Sequence, residues 1–438
     1  MDIENDQEPS VPGRELVTIC LLASVAGVVI GGVGGAFRWC LNHVERWRLE
    51  MVEWAHTLPG PGWLVPVAIT ALGALLAASI VRWVPLAAGS GIQHVEAVDR
   101  HQADPPGFAV LPSKFVGALL GIGSGLVLGR EGPIVHMGAT VGAETARRTG
   151  NADQVRLLQT AVSGAGLAVA FNAPIGGALF VFEEVTRTFR FRVVVAVMFS
   201  VATGVACSRL IIGDAPDFAA RPVATPSVAL LPAFVVFGLL TGLVGAAYNR
   251  LVVGSLHLVD SFRSLSPVTK AAIIGGLVGL LSIVAPWAAG GGDALVQHVV
   301  GGGALALPVV AWYVLLRFVA GPLSYAAGTP GGLFAPLLAL GALWGLLYAG
   351  VCEAIVPGID SSLAIPMAIV GMATLFAATV RAPLTGVVLV VEMTAVTGVT
   401  VPMLAASICA VVVAHATGTP PVYDSLRERM LGASPGTR

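Results

Sequence analysis

The chain has 438 residues, of which 56% are hydrophobic and only 11% charged, and its net charge is −1. A soluble protein carries charge on about a quarter of its residues, so this composition points to an all-α integral membrane protein, and it offers no basic footprint for nucleic acid. Residues 157–182, 222–249, 318–352 and 393–423 contain no Asp, Glu, Lys or Arg. Each exceeds the roughly 20 residues that cross a bilayer as a helix, whereas a transmembrane β-barrel would show short alternating segments.

The first fifteen residues are polar and acidic, which does not fit a cleavable signal peptide. A first apolar stretch follows, containing GVVIGGVGGAF (residues 27–37). The 54 glycines and 28 prolines fall largely inside such apolar stretches. Small residues let helices pack closely in lipid, and Gly and Pro break helices where backbone lines a cavity. Many short, tilted, interrupted helices are therefore predicted.

Next comes AGSGIQHVEAV (residues 88–98), a glycine-rich break that opens a helix. Ser90 there reads either as a helix cap or as a ligand. The most informative residue follows in GLVLGREGPIVHMGA (residues 125–139): Glu131 stands between two uncharged runs at a Gly-Pro break. A carboxylate at membrane depth is costly and marks a functional site. Further on, FNAPIGGALFVFEE ends in Glu183 and Glu184, with Arg187, Arg190 and Arg192 close behind. The pair reads as an interfacial helix end matched to those arginines or as a functional site, and the arginines fit a cytoplasmic face.

The second part of the chain repeats the first. Lys114-Phe115-Val116 aligns with Arg317-Phe318-Val319, 203 residues on, and the same offset pairs Gly125, Gly129, Pro133, Gly138 and Gly142 with Gly328, Gly332, Pro336, Gly341 and Gly345. FNAPIGGALFVFEE resembles VRAPLTGVVLVVEM, pairing Glu183 with Glu392; GVVIGGVGGAF resembles GLLTGLVGAAY (residues 238–248); Gln93-His94-Val95 recurs more weakly as Gln297-His298-Val299. The order of matches divides the chain into a polar segment (1–15), a first membrane repeat (16–212), a linker (213–227), a second repeat (228–418) and a C-terminal segment (419–438). No soluble regulatory domain is expected at either end. Interrupted segments at matching places in two halves predict a binding site between them near the midplane.

Two further motifs complete the set: GGLFAP (residues 331–336), at the repeat equivalent of GREGP, and PPVYDSL (residues 420–426) with Tyr423. A tyrosine there reads as an interfacial anchor or as a ligand. Three of the four motifs place glycine ahead of a helix whose first-turn N–H groups are free. Converging helix ends hold a dehydrated anion without a full countercharge, weakly enough for it to leave. Cys20, Cys40, Cys207, Cys352 and Cys409 show no ligand-like spacing and read as packing residues. His94, His101, His136, His298 and His415 form no metal pattern. Lys114 and Arg317 read as anchors or as a long-range field. No nucleotide-binding P-loop occurs.

GSGIQ, GREGP, GGLFAP and the late Tyr423, in this order, resemble the CLC family of chloride channels and proton/chloride antiporters, over nearly the whole chain. The resemblance implies a fold of many short tilted helices in two inverted-topology repeats, a homodimer with one pathway per subunit, and a multi-pass location in the inner (plasma) membrane without appended CBS domains. It implies a proton-coupled chloride antiporter that is not an enzyme and has no catalytic residue, metal or cofactor, with chloride and protons as substrates. The alternatives are a passive chloride channel of the same family, or a transporter for another substrate. By the same resemblance, Glu131 is the gating glutamate and Glu184 the internal proton-transfer residue, with Glu183 its buried neighbour. Ser90 and Tyr423 supply hydroxyls to chloride, with Gly91 and Ile92 beside Ser90, backbone amides of Leu333 and Phe334, and those around Arg130 and Gly132. The family usually has proline where this chain has Gln93. Retention of Ser90 argues against nitrate preference, and Pro133 against the fluoride exchangers.

Overall fold

The computed structural model describes residues 13–223, 225–356 and 361–432. Among them there are seventeen α-helices and no named strand. The first half contains α1 (Gly13–Thr57), α2 (Leu64–Trp83), α3 (Ile92–Asp99), α4 (Val110–Ser124), α5 (Glu131–Arg148), α6 (Val155–Phe171), α7 (Pro174–Phe180) and α8 (Phe191–Ile212). The second contains α9 (Leu231–Ser261), α10 (Pro267–Val284), α11 (Asp293–Val300), α12 (Leu307–Ala326), α13 (Phe334–Ile355), α14 (Ala364–Val380), α15 (Pro383–Thr394) and α16 (Thr400–Ala416). The final helix, α17 (Val422–Gly432), has no counterpart.

The same order of long and short helices thus runs twice. Eight of the described helices are long and apolar enough to cross a membrane. Others stop short: α3 and α11 have eight residues each, about 12 Å of helix, less than half of the hydrocarbon core. Both begin at a left-handed glycine, Gly91 (φ 91°) and Gly292 (φ 105°). These helix starts correspond at an offset of 201 residues, not the 204 that would align Gln93-His94-Val95 with Gln297-His298-Val299. That weak match is three residues out of register, because backbone geometry and not side-chain likeness sets the alignment.

The other matches describe shared packing. A methyl at Gly138 or Gly142 of α5 would strike the carbonyls of Val162 and Leu158 on α6, and a methyl at Gly341 or Gly345 of α13 those of Gly371 and Met367 on α14. Gly27 and Gly31 bring α1 against α8 as Gly238 and Gly242 bring α9 against α16. These small-residue seams substitute for a hydrophobic drive, which lipid does not supply. The helices α6 and α14 each end in a left-handed residue, Asn172 and Arg381. Ala-Pro then restarts the chain, with Pro174 and Pro383 at the first turns of α7 and α15, where the missing N–H costs nothing.

Burial separates wall from centre. The helices α5, α6, α13 and α14 are enclosed along most of their length. In contrast, α1, α2, α8, α9 and α16 expose Leu21, Val25, Leu72, Leu210, Leu243 and Val412, the face expected toward lipid. Lys114 and Arg317 occupy equivalent places at the centre. Lys114 donates to the carbonyls of Ala88 (3.3 Å), Gly89 (2.6 Å) and Ser90 (3.1 Å). Arg317 donates to those of Ala288 (3.1 Å), Gly290 (3.3 Å) and Gly291 (2.6 Å). Each cation grips the loop ahead of a short helix, so both act as structural anchors.

Candidate functional site

The halves meet where α5 and α13 begin. Gly129 and Gly332 exchange backbone hydrogen bonds, Gly129 N–H to Gly332 O at 2.7 Å and Gly332 N–H to Gly129 O at 2.8 Å. A second link joins Gly331 N–H to Gly89 O (3.0 Å) and Gly89 N–H to Thr329 O (3.1 Å). This lattice holds three helix N-termini together, those of α3, α5 and α13.

Glu131 is the first residue of α5 and is 0% exposed. Its Oε2 accepts from the Ala335 N–H in the first turn of α13 at 3.3 Å, while Oε1 has no partner. The carboxylate therefore sits on a foreign helix N-terminus, in the position an anion would take. Arg130 does not neutralise it by an ion pair. Its guanidinium turns to Asp217 (2.9 Å) and Asp293 (3.0 Å).

Ser90 Oγ and Tyr423 Oη are both buried and without a hydrogen-bond partner among the described residues. Six buried hydroxyls lack a partner among the described residues, and Ser90 and Tyr423 are the two that touch Gly132 and Phe334 at the helix starts, where both are free to donate to an anion. The Tyr423 ring stacks on Phe334, the first residue of α13, with centroids 6.0 Å apart and planes at 29°. Phe171, Phe180 and Phe376 complete the wall around Phe334. Gly132 abuts Ser90 so closely that a methyl there would meet Ser90 Oγ and Cα. Gly91 is backed by the His136 ring, Ile92 opens α3, and Leu333 caps α13. Contacts thus link the sequence-predicted residues: Ser90 to Gly132, Glu131 to Ala335, Phe334 to Tyr423.

Glu184 sits in a one-turn π-helix, Val181–Val185, following α7. It is buried, its Oε1 has no partner, and its Oε2 lies 3.9 Å from Arg187. A cavity of about 710 Å³ reaches it, lined by Glu183, Arg187, Thr419 and Pro420 among others. Glu183 differs from its expected place as a buried neighbour on a proton path. It is half-buried, and its carboxylate accepts from Leu384 N–H (3.0 Å), Thr385 N–H (2.7 Å) and Thr385 Oγ1 (2.7 Å) at the start of α15. Glu392 returns the contact, accepting from Ile175 N–H (3.1 Å) and Gly176 N–H (2.7 Å) at the start of α7. The two repeat mates cap each other's helices, where their charge is favoured by the free N–H groups.

Several further polar residues meet at the site. Asp217 bridges Arg38 and Arg130. Glu96 of α3 pairs with Arg427 of α17 at 2.7 Å, and Asp424 binds Arg427 (2.6 Å), Arg187 (3.3 Å) and Arg100 (3.5 Å). This network positions α17, hence Tyr423, against α3. Tyr325 Oη accepts from Ser90 N–H at 3.4 Å. The rings of His94 and His136 are joined Nδ1 to Nε2 at 3.1 Å behind Gly91. No group of three or more His, Cys, Asp or Glu among the described residues is arranged to hold a metal ion.

Residues 72–415 match the model of the voltage gated chloride channel family. The H(+)/Cl(−) exchange transporter ClcA of Vibrio parahaemolyticus serotype O3:K6 is 35% identical over 433 residues, 96% of this chain and 91% of its own. That of Cronobacter sakazakii is 34% identical over 433 residues, 96% of this chain and 92% of its own. Among solved structures, a slow cyanobacterial Cl−/H+ antiporter superposes with a TM-score of 0.89 at 30% identity, covering 95% of this chain and 98% of its own. A eukaryotic CLC transporter (TM-score 0.80, 21% identity, 95% of this chain and 74% of its own) shares the fold.

Proposed function

From the premise that this chain belongs to the CLC family of voltage-gated chloride channels and transporters, we propose that it is a proton-coupled chloride antiporter. The observation that carries this reading is the pair of buried carboxylates flanking the anion-type site. Glu131 rests on the first turn of α13, and Glu184 is buried beside a cavity near the Tyr423 segment. Chloride and an ionised Glu131 compete for the same N–H donors, since both are anionic acceptors. Protonation removes that competition: a neutral carboxyl leaves the amides and chloride takes them. Return of Glu131 requires loss of its proton, so each cycle moves a proton against an anion.

Ser90 and Tyr423 hydroxyls, with the amides at Gly91–Ile92, Arg130–Gly132 and Leu333–Phe334, hold chloride by dipoles alone. Partial charges of about half a unit per helix end bind without trapping. Glu184 passes protons between the Arg187 side and Glu131. The units of this design are the repeats 16–212 and 228–418, and the assembly is a homodimer in the inner (plasma) membrane with chloride and protons as its substrates and no cofactor. The test is coupled flux in liposomes with opposed chloride and pH gradients. Protons driven uphill by downhill chloride support the antiporter. Chloride flux without proton movement means a passive channel, and no chloride flux means another substrate.

A further inference from the structure

The loop Gly290-Gly291-Gly292 ahead of α11 is built like Gly89-Ser90-Gly91 ahead of α3. Both loops have their carbonyls gripped by a buried cation, and both end in a left-handed glycine that starts an eight-residue helix. Peptide planarity then points the N–H groups of Gly291 and Gly292 away from Arg317. In the first loop Ser90 adds a hydroxyl donor; in the second, Gly291 has no side chain to add.

Arg48 borders the second loop at Gly290, as Tyr325 borders the first at Gly89. The second loop borders a cavity of about 370 Å³ lined also by Glu45, Arg46, Arg48, Trp287 and Asp293. Arg48 is only 5% exposed, and its Nε and Nη1 have no hydrogen-bond partner among the described residues. The guanidinium lies against the loop: a methyl on Gly290 would sit 3.0 Å from Nη2. Asp293 lends it no countercharge, its carboxylate being engaged by Arg130 at 3.0 Å. A buried guanidinium without an acceptor carries a large desolvation penalty, and here its free donors meet the free donors of a helix N-terminus.

We propose that this cavity is a second anion-binding site, distinct from the Ser90–Tyr423 site, which takes a small monovalent inorganic anion of the halide class. Glu45 on the same wall penalises a dianion such as sulfate more than a monovalent anion. Glu45, three residues before Arg48, is the built-in competitor for the guanidinium. Because Asp293 ties this cavity to Arg130, next to Glu131, the site collects halide beside the gated end of the pathway. It stands whether or not protons are coupled.

Crystals of the full chain soaked in bromide give the direct test by anomalous diffraction. A peak within hydrogen-bond reach of Arg48 is expected, additional to one at Ser90 and Tyr423. Arg48→Gln should remove the first and keep the second, and Glu45→Gln, which leaves Arg48 intact if the first variant fails to fold, should strengthen it. Bromide at Ser90–Tyr423 with none at Arg48, in both the unaltered chain and Glu45→Gln, overturns the proposal, as does displacement by equimolar sulfate. In liposomes, the chloride concentration for half-maximal flux from the Arg48 side should rise about tenfold in Arg48→Gln, the effect of one charge-assisted hydrogen bond. An unchanged value would make the crystal peak an adventitious ion only. A chain that proves to be an uncoupled channel would still show the bromide peak and the shifted half-saturation.

Discussion

The first turns of α5 and α13 share a backbone and differ in chemistry: at the position where α5 begins with Glu131, α13 begins with Phe334. Two glutamates here would place like charges together in a low-dielectric interior, where each would oppose ionisation of the other. With one glutamate, the carboxylate crosses to the other half's amides at Ala335, while Phe334 becomes the wall on which Tyr423 stacks. Glu183 and Glu392 offer the contrast. They too are repeat mates, and they remain glutamates and do the same thing in both halves. Lys114 and Arg317 do likewise, as do Gly138 and Gly341. Mates that stay alike hold the scaffold; where mates diverge, Glu131 with Phe334, Ser90 with Gly291, Glu184 with Met393, the first-half member of each pair belongs to the candidate site.

The largest expected effect falls on the most divergent pair. Glu131→Gln should bring proton movement to background while chloride still flows, because the neutral amide cannot alternate between binding the amides as an anion and leaving them as an acid. Simultaneous chloride and pH electrodes on loaded liposomes would read this, and coupled exchange in that variant would sink the gating role. Glu184→Gln comes next. Proton flux should fall about a hundredfold, the lower range for a positioned proton-transfer group, with chloride flux spared. Equal loss of both ions would make Glu184 a structural residue of the π-turn.

The matched pair should respond in a matched way. Glu183→Gln and Glu392→Gln each weaken a charged cap on a helix start, so each should lower stability by about 1–3 kcal/mol without changing the coupling ratio. Glu183→Gln should cost somewhat more, since Thr385 Oγ1 also donates to Glu183. Thermal unfolding in detergent measures the first, coupled flux the second. A selective loss of proton transport in Glu183→Gln would return that residue to the proton path.

What was legible in the sequence follows the same division. The glycine mates, the Ala-Pro restarts and Glu131 at its break are local backbone statements, readable within a few residues. Ser90 and Tyr423 gained their meaning from the order of motifs. Glu183 is half-buried where burial was expected because its partner lies at Leu384 and Thr385, about two hundred residues away, and helix capping across halves leaves no local pattern. Asp217 reads as an ordinary linker acid until Arg38 and Arg130 close on it. The Gln93-His94-Val95 match misled because identical side chains outweighed the glycine turn that sets the true register.

The smallest effect sharpens the Ser90–Gly291 contrast. Ser90→Ala removes one neutral hydroxyl donor and leaves the loop, its Lys114 anchor and the α3 start unchanged. The loss should be about 1 kcal/mol, roughly fivefold in halide affinity, read by calorimetric titration with bromide. Tyr423→Phe should cost a similar amount, since it too deletes a hydroxyl while keeping the stack on Phe334. If each hydroxyl donates to one shared anion, the double variant's loss will depart from the product of the two single losses, because neighbouring groups on one ligand couple. Additive losses would place the two hydroxyls on separate ions. The second loop would then be no longer the exception, and anions along this pathway would each rest on one helix end with a single side-chain donor.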